Sequence, residues 1–293
     1  MNRTTLMNQE WQYATAGDPS RPALLLLHGF TGSHASWNGL MARWASEYFV
    51  IAPDLPGHGK TAIPDTPQDL SMRVTAERLA ELLDYLSIAK AAVLGYSMGG
   101  RLALHFAWRH PELLWALVLE SASPGLSREE DRQTRRHSDR ALADTLEEKG
   151  LDWFIPYWAD QALFRSQSAS VRESENRIRR TQSPYGLAQS LRGAGTGEQE
   201  PLWEHLSSLL MPVLLVTGTL DHKFSATAQQ MSAAIQEVLW VPVSEAGHTV
   251  HGEQPERFFE VVDSFLKKKQ PTRPTLEEAA RTDAKTGRVN REL

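Results

Sequence analysis

The segment Gly95-Tyr96-Ser97-Met98-Gly99 constrains the fold of this chain more than any other, because of what stands on either side of it. The apolar run 91–94, Ala-Ala-Val-Leu, reads as a buried strand, and 98–109 reads as a helix that stops before His110-Pro111. A serine on such a strand-to-helix turn is held in a strained backbone conformation with its hydroxyl lifted clear of the sheet. Glycines two residues to either side place no Cβ in the tight turn. A lone G-x-S-x-G arises by chance in a chain of this size. In this context it makes Ser97 a candidate reactive residue.

The same alternation of short apolar runs and helical spacing extends through most of the chain and predicts a parallel sheet covered on both faces. Strands are expected over 23–27, 49–53, 91–95, 114–119, 213–217 and 238–243, with an earlier edge strand near 11–14. Helices are expected over 37–46, 72–86, 98–109, 226–236 and 255–268. The interval from about 127 to 206 contains no convincing buried strand. It is helix-forming, rich in arginine and tryptophan, and is read as a helical lid, since unstructured loops of that length are rare in compact domains. The expected division is core over 1–126, lid over 127–206, core over 207–269, and a charged, apolar-poor, disordered or weakly helical tail over 270–293.

Composition narrows the function classes. A net charge of −5 gives no electrostatic case for nucleic acid or for an anionic membrane as partner. No run approaches the ~20 apolar residues of a membrane span, and the polar first residues show no secretory signal. The chain has 0 cysteines, which excludes disulfides and thiolate metal sites and fits a cytoplasmic location.

A serine hydroxyl becomes reactive when an imidazole can take its proton and a carboxylate orients that imidazole. Asp221 follows the strand over 213–217 and His248 follows the strand over 238–243, so both fall at carboxyl ends of parallel strands, where open sheets of this kind place their sites. Ser97, Asp221 and His248 are the candidate catalytic residues. Asp221 could instead cap a helix, although Ser225 stands closer to the expected helix start. Glu120 is a rival acid and His251 a rival histidine. The turn His28-Gly29-Phe30-Thr31-Gly32 after the strand over 23–27 suggests an oxyanion site built from the backbone N–H groups of Phe30 and Met98. The segment Asp54-Leu55-Pro56-Gly57-His58-Gly59-Lys60 reads as a rigid structural turn.

These segments resemble the α/β-hydrolase superfamily over about 1–268. Within it they resemble the 2-succinyl-6-hydroxy-2,4-cyclohexadiene-1-carboxylate synthases of menaquinone biosynthesis. The resemblance is carried by Leu27-His28-Gly29-Phe30-Thr31-Gly32, by Asp54 to Gly59, and by Gly95-Tyr96-Ser97-Met98-Gly99-Gly100-Arg101. It also rests on Glu120-Ser121-Ala122-Ser123-Pro124-Gly125-Leu126, on Ser190 to Gly197, and on Asp221-His222-Lys223-Phe224. Arg101 after the elbow glycines, Pro124-Gly125-Leu126 and the Asp-x-Lys-Phe run discriminate best.

The resemblance implies an α/β-hydrolase fold, a mostly parallel central sheet flanked by helices, with an inserted helical lid. It implies a lyase that removes pyruvate from a small tricarboxylate substrate by proton abstraction and elimination, without metal or organic cofactor. Ser97 would act as the base in that reading. The main alternative is a serine hydrolase, an esterase or a carbon–carbon bond hydrolase. Arg101, Arg135 and Arg180 are the implied substrate-binding arginines, with Arg179 competing for the last position. Tyr96, Trp158 and Lys223 are implied pocket residues, Trp158 reading equally as lid core. Between 128 and 192 there are 11 arginines, one lysine and 11 acidic residues, so most of these arginines are expected to form salt bridges on solvated helix faces. A tricarboxylate nevertheless calls for planar, bidentate partners, which arginine supplies.

Overall fold

The computed structural model describes residues 1–270 and places eight strands in one sheet. The strands are β1 (Asn2–Leu6), β2 (Gln9–Ala16), β3 (Ala23–Leu27), β4 (Phe49–Pro53), β5 (Ala91–Tyr96), β6 (Leu114–Glu120), β7 (Val213–Gly218) and β8 (Val238–Val243). Their order is β1-β2-β4-β3-β5-β6-β7-β8; β2 runs antiparallel to both its neighbours, β1 and β4, and the other pairings are parallel. Every residue of β3, β4, β5, β6 and β7 is buried, which explains their unbroken apolar runs.

Alternate residues of each strand face opposite layers. Leu25, Leu27 and Val93 pack with the helices α2 (Met72–Tyr85) and α3 (Met98–Arg109), through Leu79, Leu83, Leu102 and Phe106. Leu24, Leu26 and Leu94 pack on the other face with α1 (Asn38–Trp44) and α9 (Pro255–Lys269), through Trp44, Phe258 and Leu266. The sheet is therefore covered on both sides, and its functional edge is the carboxyl end of the parallel strands.

Between β6 and β7 the chain forms α4 (Glu129–Ala159), α5 (Ala169–Arg179) and α6 (Pro184–Ala194). Gly150 interrupts α4 with φ 70°, a left-handed value that splits it into two helical segments. Phe30, Leu142, Leu146, Phe154 and Leu187 form the apolar interior of this layer, so its core meets the loop after β3. After β7 come α7 (His222–Ala234) and the short α8 (Val250–Glu253).

The structure departs from the sequence reading at the first strands. The edge strand expected near 11–14 is the inner member of a hairpin, and β1 forms the edge. Met7 and Asn8, at φ 44° and 63°, make the two-residue turn. Without a glycine in it, the turn lacks the usual hairpin signature. The expected tail lies, apart from Gln270, outside the described residues. Among the described residues, no helix is long and apolar enough to cross a membrane.

Candidate active site

Ser97 sits between β5 and α3 with φ 51° and ψ −106°, a backbone conformation that costs energy for any residue with a Cβ. The turn closes because the chain comes very near itself. A Cβ on Gly99 would lie 2.2 Å from the Leu27 carbonyl oxygen, and one on Gly95 would lie 2.3 Å from the Gly99 carbonyl oxygen. Both neighbours are backbone and cannot swing aside. Gly99→Ala is therefore expected to destabilise the fold by about 1–3 kcal/mol, as overpacking does. An unchanged midpoint in urea would contradict this.

The hydroxyl of Ser97 lies 3.0 Å from His248 Nε2, and His248 Nδ1 lies 2.7 Å from Asp221 Oδ2. Asp221 and His248 are both buried. Phe224, Tyr96 and Phe164 surround the imidazole, with ring centroids at 4.5, 5.5 and 6.1 Å. Asp221 holds two positions at once. Its Oδ1 accepts the Phe224 backbone N–H at 3.2 Å, so it caps α7, which begins at His222, four residues earlier than the sequence suggested. Ser225 does not cap; its hydroxyl donates to the Gly218 carbonyl at 3.1 Å. Capping fixes the carboxylate rotamer and leaves the second oxygen for the imidazole.

Met98 opens α3, where N–H groups have no partner inside the helix and where the helix dipole favours negative charge. Phe30 follows Gly29 in a turn fixed by His28. The Nε2 of His28 accepts the Leu55 N–H at 3.0 Å, so its Nδ1 carries the proton and donates to the Gly29 carbonyl at 2.8 Å. Burial, the dominant influence, lowers the His28 pKa to about 4 and keeps the ring neutral for these two bonds. Phe30 and Met98 line one cavity of about 150 Å³ together with Ser97 and His248.

Tyr96, Arg101, Arg135, Trp158 and Lys223 line the same cavity. Arg101 is 9% exposed, and among the described residues its guanidinium makes one hydrogen bond, from Nη1 to Gln199 Oε1 at 3.2 Å. Burial above all, and then the charge of Arg135, push its pKa down to about 9, while Asp139 opposes that shift. Arg135 Nε donates to Asp139 Oδ1 at 2.8 Å.

Arg180 is not brought to this cavity. Its guanidinium is 54% exposed and bonds Glu173 at 2.8 Å. Its neighbour Arg179 points inward, 2% exposed, with Nε donating to Thr31 Oγ1 at 3.3 Å and the guanidinium 5.4 Å from the Phe164 ring. Adjacent residues near the end of α5 point about 100° apart, so the two arginines cannot both face the core. Other arginines of this region form surface pairs: Arg140 with Glu198, and Arg192 with Asp144 and Glu147.

The rival residues Glu120 and His251 pair with each other. His251 Nδ1 lies 2.8 Å from Glu120 Oε2, and the His251 backbone N–H donates to Oε1 at 2.9 Å. This second buried pair stands behind Tyr96, whose ring is 4.8 Å from that of His251 and whose hydroxyl is 2.9 Å from Thr249 Oγ1. Each residue alone is a plausible triad member in the sequence, where nothing shows that the two satisfy one another. Gln199 and Asp139 were missed altogether, since a single polar residue on a helix-rich segment carries no motif. Among the described residues, no group of three or more His, Asp or Glu side chains is placed to hold a metal ion.

A model of the alpha/beta hydrolase fold matches residues 22–255. The chain belongs to the α/β-hydrolase fold family. A protein of Bacillus subtilis (strain 168) is 39% identical to this α/β-hydrolase over 269 residues, covering 91% of the chain and 98% of the relative; its name, given provisionally, is 2-succinyl-6-hydroxy-2,4-cyclohexadiene-1-carboxylate synthase. The protein of that name from Salmonella typhimurium is 34% identical over 251 residues, covering 85% of the chain and 94% of the relative. The structure of MenH from S. aureus superposes with a TM-score of 0.83 at 31% identity, covering 89% of this chain and 99% of that one. A thermophilic esterase from Thermogutta terrifontis superposes with a TM-score of 0.81 at 24% identity, covering 92% and 100%, a likeness of fold.

Proposed function

We propose that this α/β-hydrolase is a lyase that eliminates pyruvate from 2-succinyl-5-enolpyruvyl-6-hydroxy-3-cyclohexene-1-carboxylate, giving 2-succinyl-6-hydroxy-2,4-cyclohexadiene-1-carboxylate. The relatives named as that synthase support the reading. So does one observation in the site: among the described residues no carboxylate is bonded to Arg101, a buried cation facing the cavity that holds Ser97. A buried cation of this kind is costly unless an anion pairs with it.

The double bonds of substrate and product define the electron flow. The C2–H bond breaks and its electrons form the C2–C3 double bond. The former C3–C4 pair moves to C4–C5, and the C5–O bond to the enolpyruvyl group breaks. Ser97 removes the C2 proton as its own passes to His248, and Asp221 stabilises the resulting imidazolium. Negative charge develops on the succinyl carbonyl oxygen, where the Phe30 and Met98 amides hold it; such donors contribute roughly 10²–10³ in rate. The proton held by His248 returns to the departing enolpyruvate, which becomes pyruvate. No metal or organic cofactor enters this scheme.

Arg101, Arg135 and Lys223 hold the carboxylates, Tyr96 and Trp158 shape the cavity, and α4 to α6 act as the lid over it. The cysteine-free chain suits a reducing cytoplasm. Arg101→Ala is expected to lower kcat/KM about 10²-fold, as loss of a buried charged anchor does, while Arg180→Ala stays within twofold of the wild type. Equal losses in both variants would remove Arg101 from the substrate site.

The deciding assay is coupled detection of pyruvate from freshly generated substrate, with wild type and Ser97→Ala compared. Rapid, Ser97-dependent release supports the lyase. A folded protein that releases no pyruvate but cleaves neutral esters is a serine hydrolase instead.

A further inference from the structure

Asp139 is a carboxylate placed in a site otherwise suited to anions. It lies on α4, 4% exposed, one turn after Arg135. One oxygen accepts the Arg135 Nε–H at 2.8 Å; the other is buried without a hydrogen-bond partner among the described residues. That second oxygen presses against the cavity wall. A Cβ on Gly195, a wall residue, would stand 2.6 Å from it. The absence of a side chain at 195 is what lets the carboxylate come so near the cavity. Arg101 is its other charged neighbour, and Glu198 adds repulsion. Burial, the largest influence, raises its carboxyl above the ordinary range although both arginines pull it down.

A buried acid with one unsatisfied oxygen is an expensive way to orient one arginine. Glutamine or asparagine would bond the same Nε–H without the charge. The charge is what distinguishes Asp139, and its effect reaches both arginines. Substrate and product of the proposed reaction both carry carboxylates, so a pocket with Arg101, Arg135 and Lys223 unopposed would grip the product as firmly as the substrate. Binding shared by both ends of a reaction lowers KM without raising kcat, and product release can then limit turnover.

We propose that Asp139 is a positioning residue that orients Arg135 and, by offsetting part of the positive charge of Arg101 and Arg135, limits anion affinity so that the carboxylate-bearing product leaves. This inference rests on the lyase reading above for its benefit to turnover, though the effect on anion binding stands apart from it.

Asp139→Asn keeps an acceptor for Arg135 and removes the charge. It is expected to lower both KM and kcat for pyruvate release. It should also tighten binding of propane-1,2,3-tricarboxylate about 10-fold at pH 7.5, read by tryptophan fluorescence, with a smaller gain for butanoate. A residue serving only to hold Arg135 leaves anion binding and KM unchanged in this variant, or weakens binding where the amide holds Arg135 less well, and either result overturns the proposal. Asp139→Ser provides the same sign test if the asparagine variant does not fold. Failure of the lyase reading is separable: wild type would then release no pyruvate while Asp139→Asn still tightened the tricarboxylate. If wild type binds neither anion, the anion pocket and this proposal fall together.

Discussion

Ser97→Ala is expected to slow pyruvate release by roughly 10⁴–10⁶-fold, and His248→Ala by about as much, with the double variant no slower than either alone. The reason is geometric. Ser97 Oγ, His248 Nε2 and Asp221 form one chain of contacts at 3.0 and 2.7 Å, so removing either of the first two leaves nothing for the other to do. Asp221 needs a subtler substitution, because its other oxygen caps α7. Alanine would add the loss of a cap, about 0.5–2 kcal/mol, to any catalytic loss. Asp221→Asn keeps an acceptor for the Phe224 N–H and removes the charge that stabilises the imidazolium, so its activity should fall with little change in melting temperature. Losses that multiply across the three positions would show that the residues act separately.

Glu120→Ala is expected to destabilise the fold by about 3–5 kcal/mol, because it strands His251 in a buried site without its partner. Both residues are almost fully buried, and Glu120 accepts from the His251 ring and backbone alike. The pH dependence has a definite sign. Burial, the largest influence on His251, opposes its charge, but Glu120, aided by Glu175 and Glu253, outweighs it and raises the pKa above 6.5. Trp37, Tyr96 and Phe258 complete the surroundings. A raised folded-state pKa contributes stability that is complete below the unfolded value and lost as pH rises through the folded one. The stability gap between wild type and His251→Gln should therefore be widest below pH 6.5 and shrink above it. Urea unfolding at several pH values measures this, and a gap that widened on the alkaline side would refute the charged pair. Because Tyr96 packs between His251 and His248, Glu120→Ala should also reduce activity in the fraction that remains folded.

Elements whose causes are local were legible in the chain. Helix α3 and strands β3, β4 and β8 were read to the residue, since an apolar run or a helical period ending at a proline is a signal carried within about a dozen positions. Signals that were weak locally were misread. The hairpin of β1 and β2 turns on Met7-Asn8 and pairs polar residues at an edge. The start of α7 is ambiguous in the sequence because Asp221 and Ser225 are both good capping residues; in the fold the Phe224 N–H bonds Asp221 while the Ser225 hydroxyl turns to Gly218.

The choice between Arg179 and Arg180 shows the same limit at the site. The two adjacent residues compete for one implied position, and only the packing of α5 turns one to Thr31 and the other to Glu173. Likewise, Glu120 and His251 are 131 positions apart, and nothing in either neighbourhood announces that they neutralise each other.

The sequence by itself determined a mostly parallel sheet covered on both faces, the strained serine turn and the set of residues from which a site could be drawn, because these follow from short-range sterics and apolar periodicity. Only the tertiary structure decided which acid serves His248, which arginines face the cavity, and that a buried aspartate bonds one of them. Those outcomes depend on contacts between segments such as Ser97 and His248, 151 residues apart, whose meeting is set by the packing of the whole sheet and its helices.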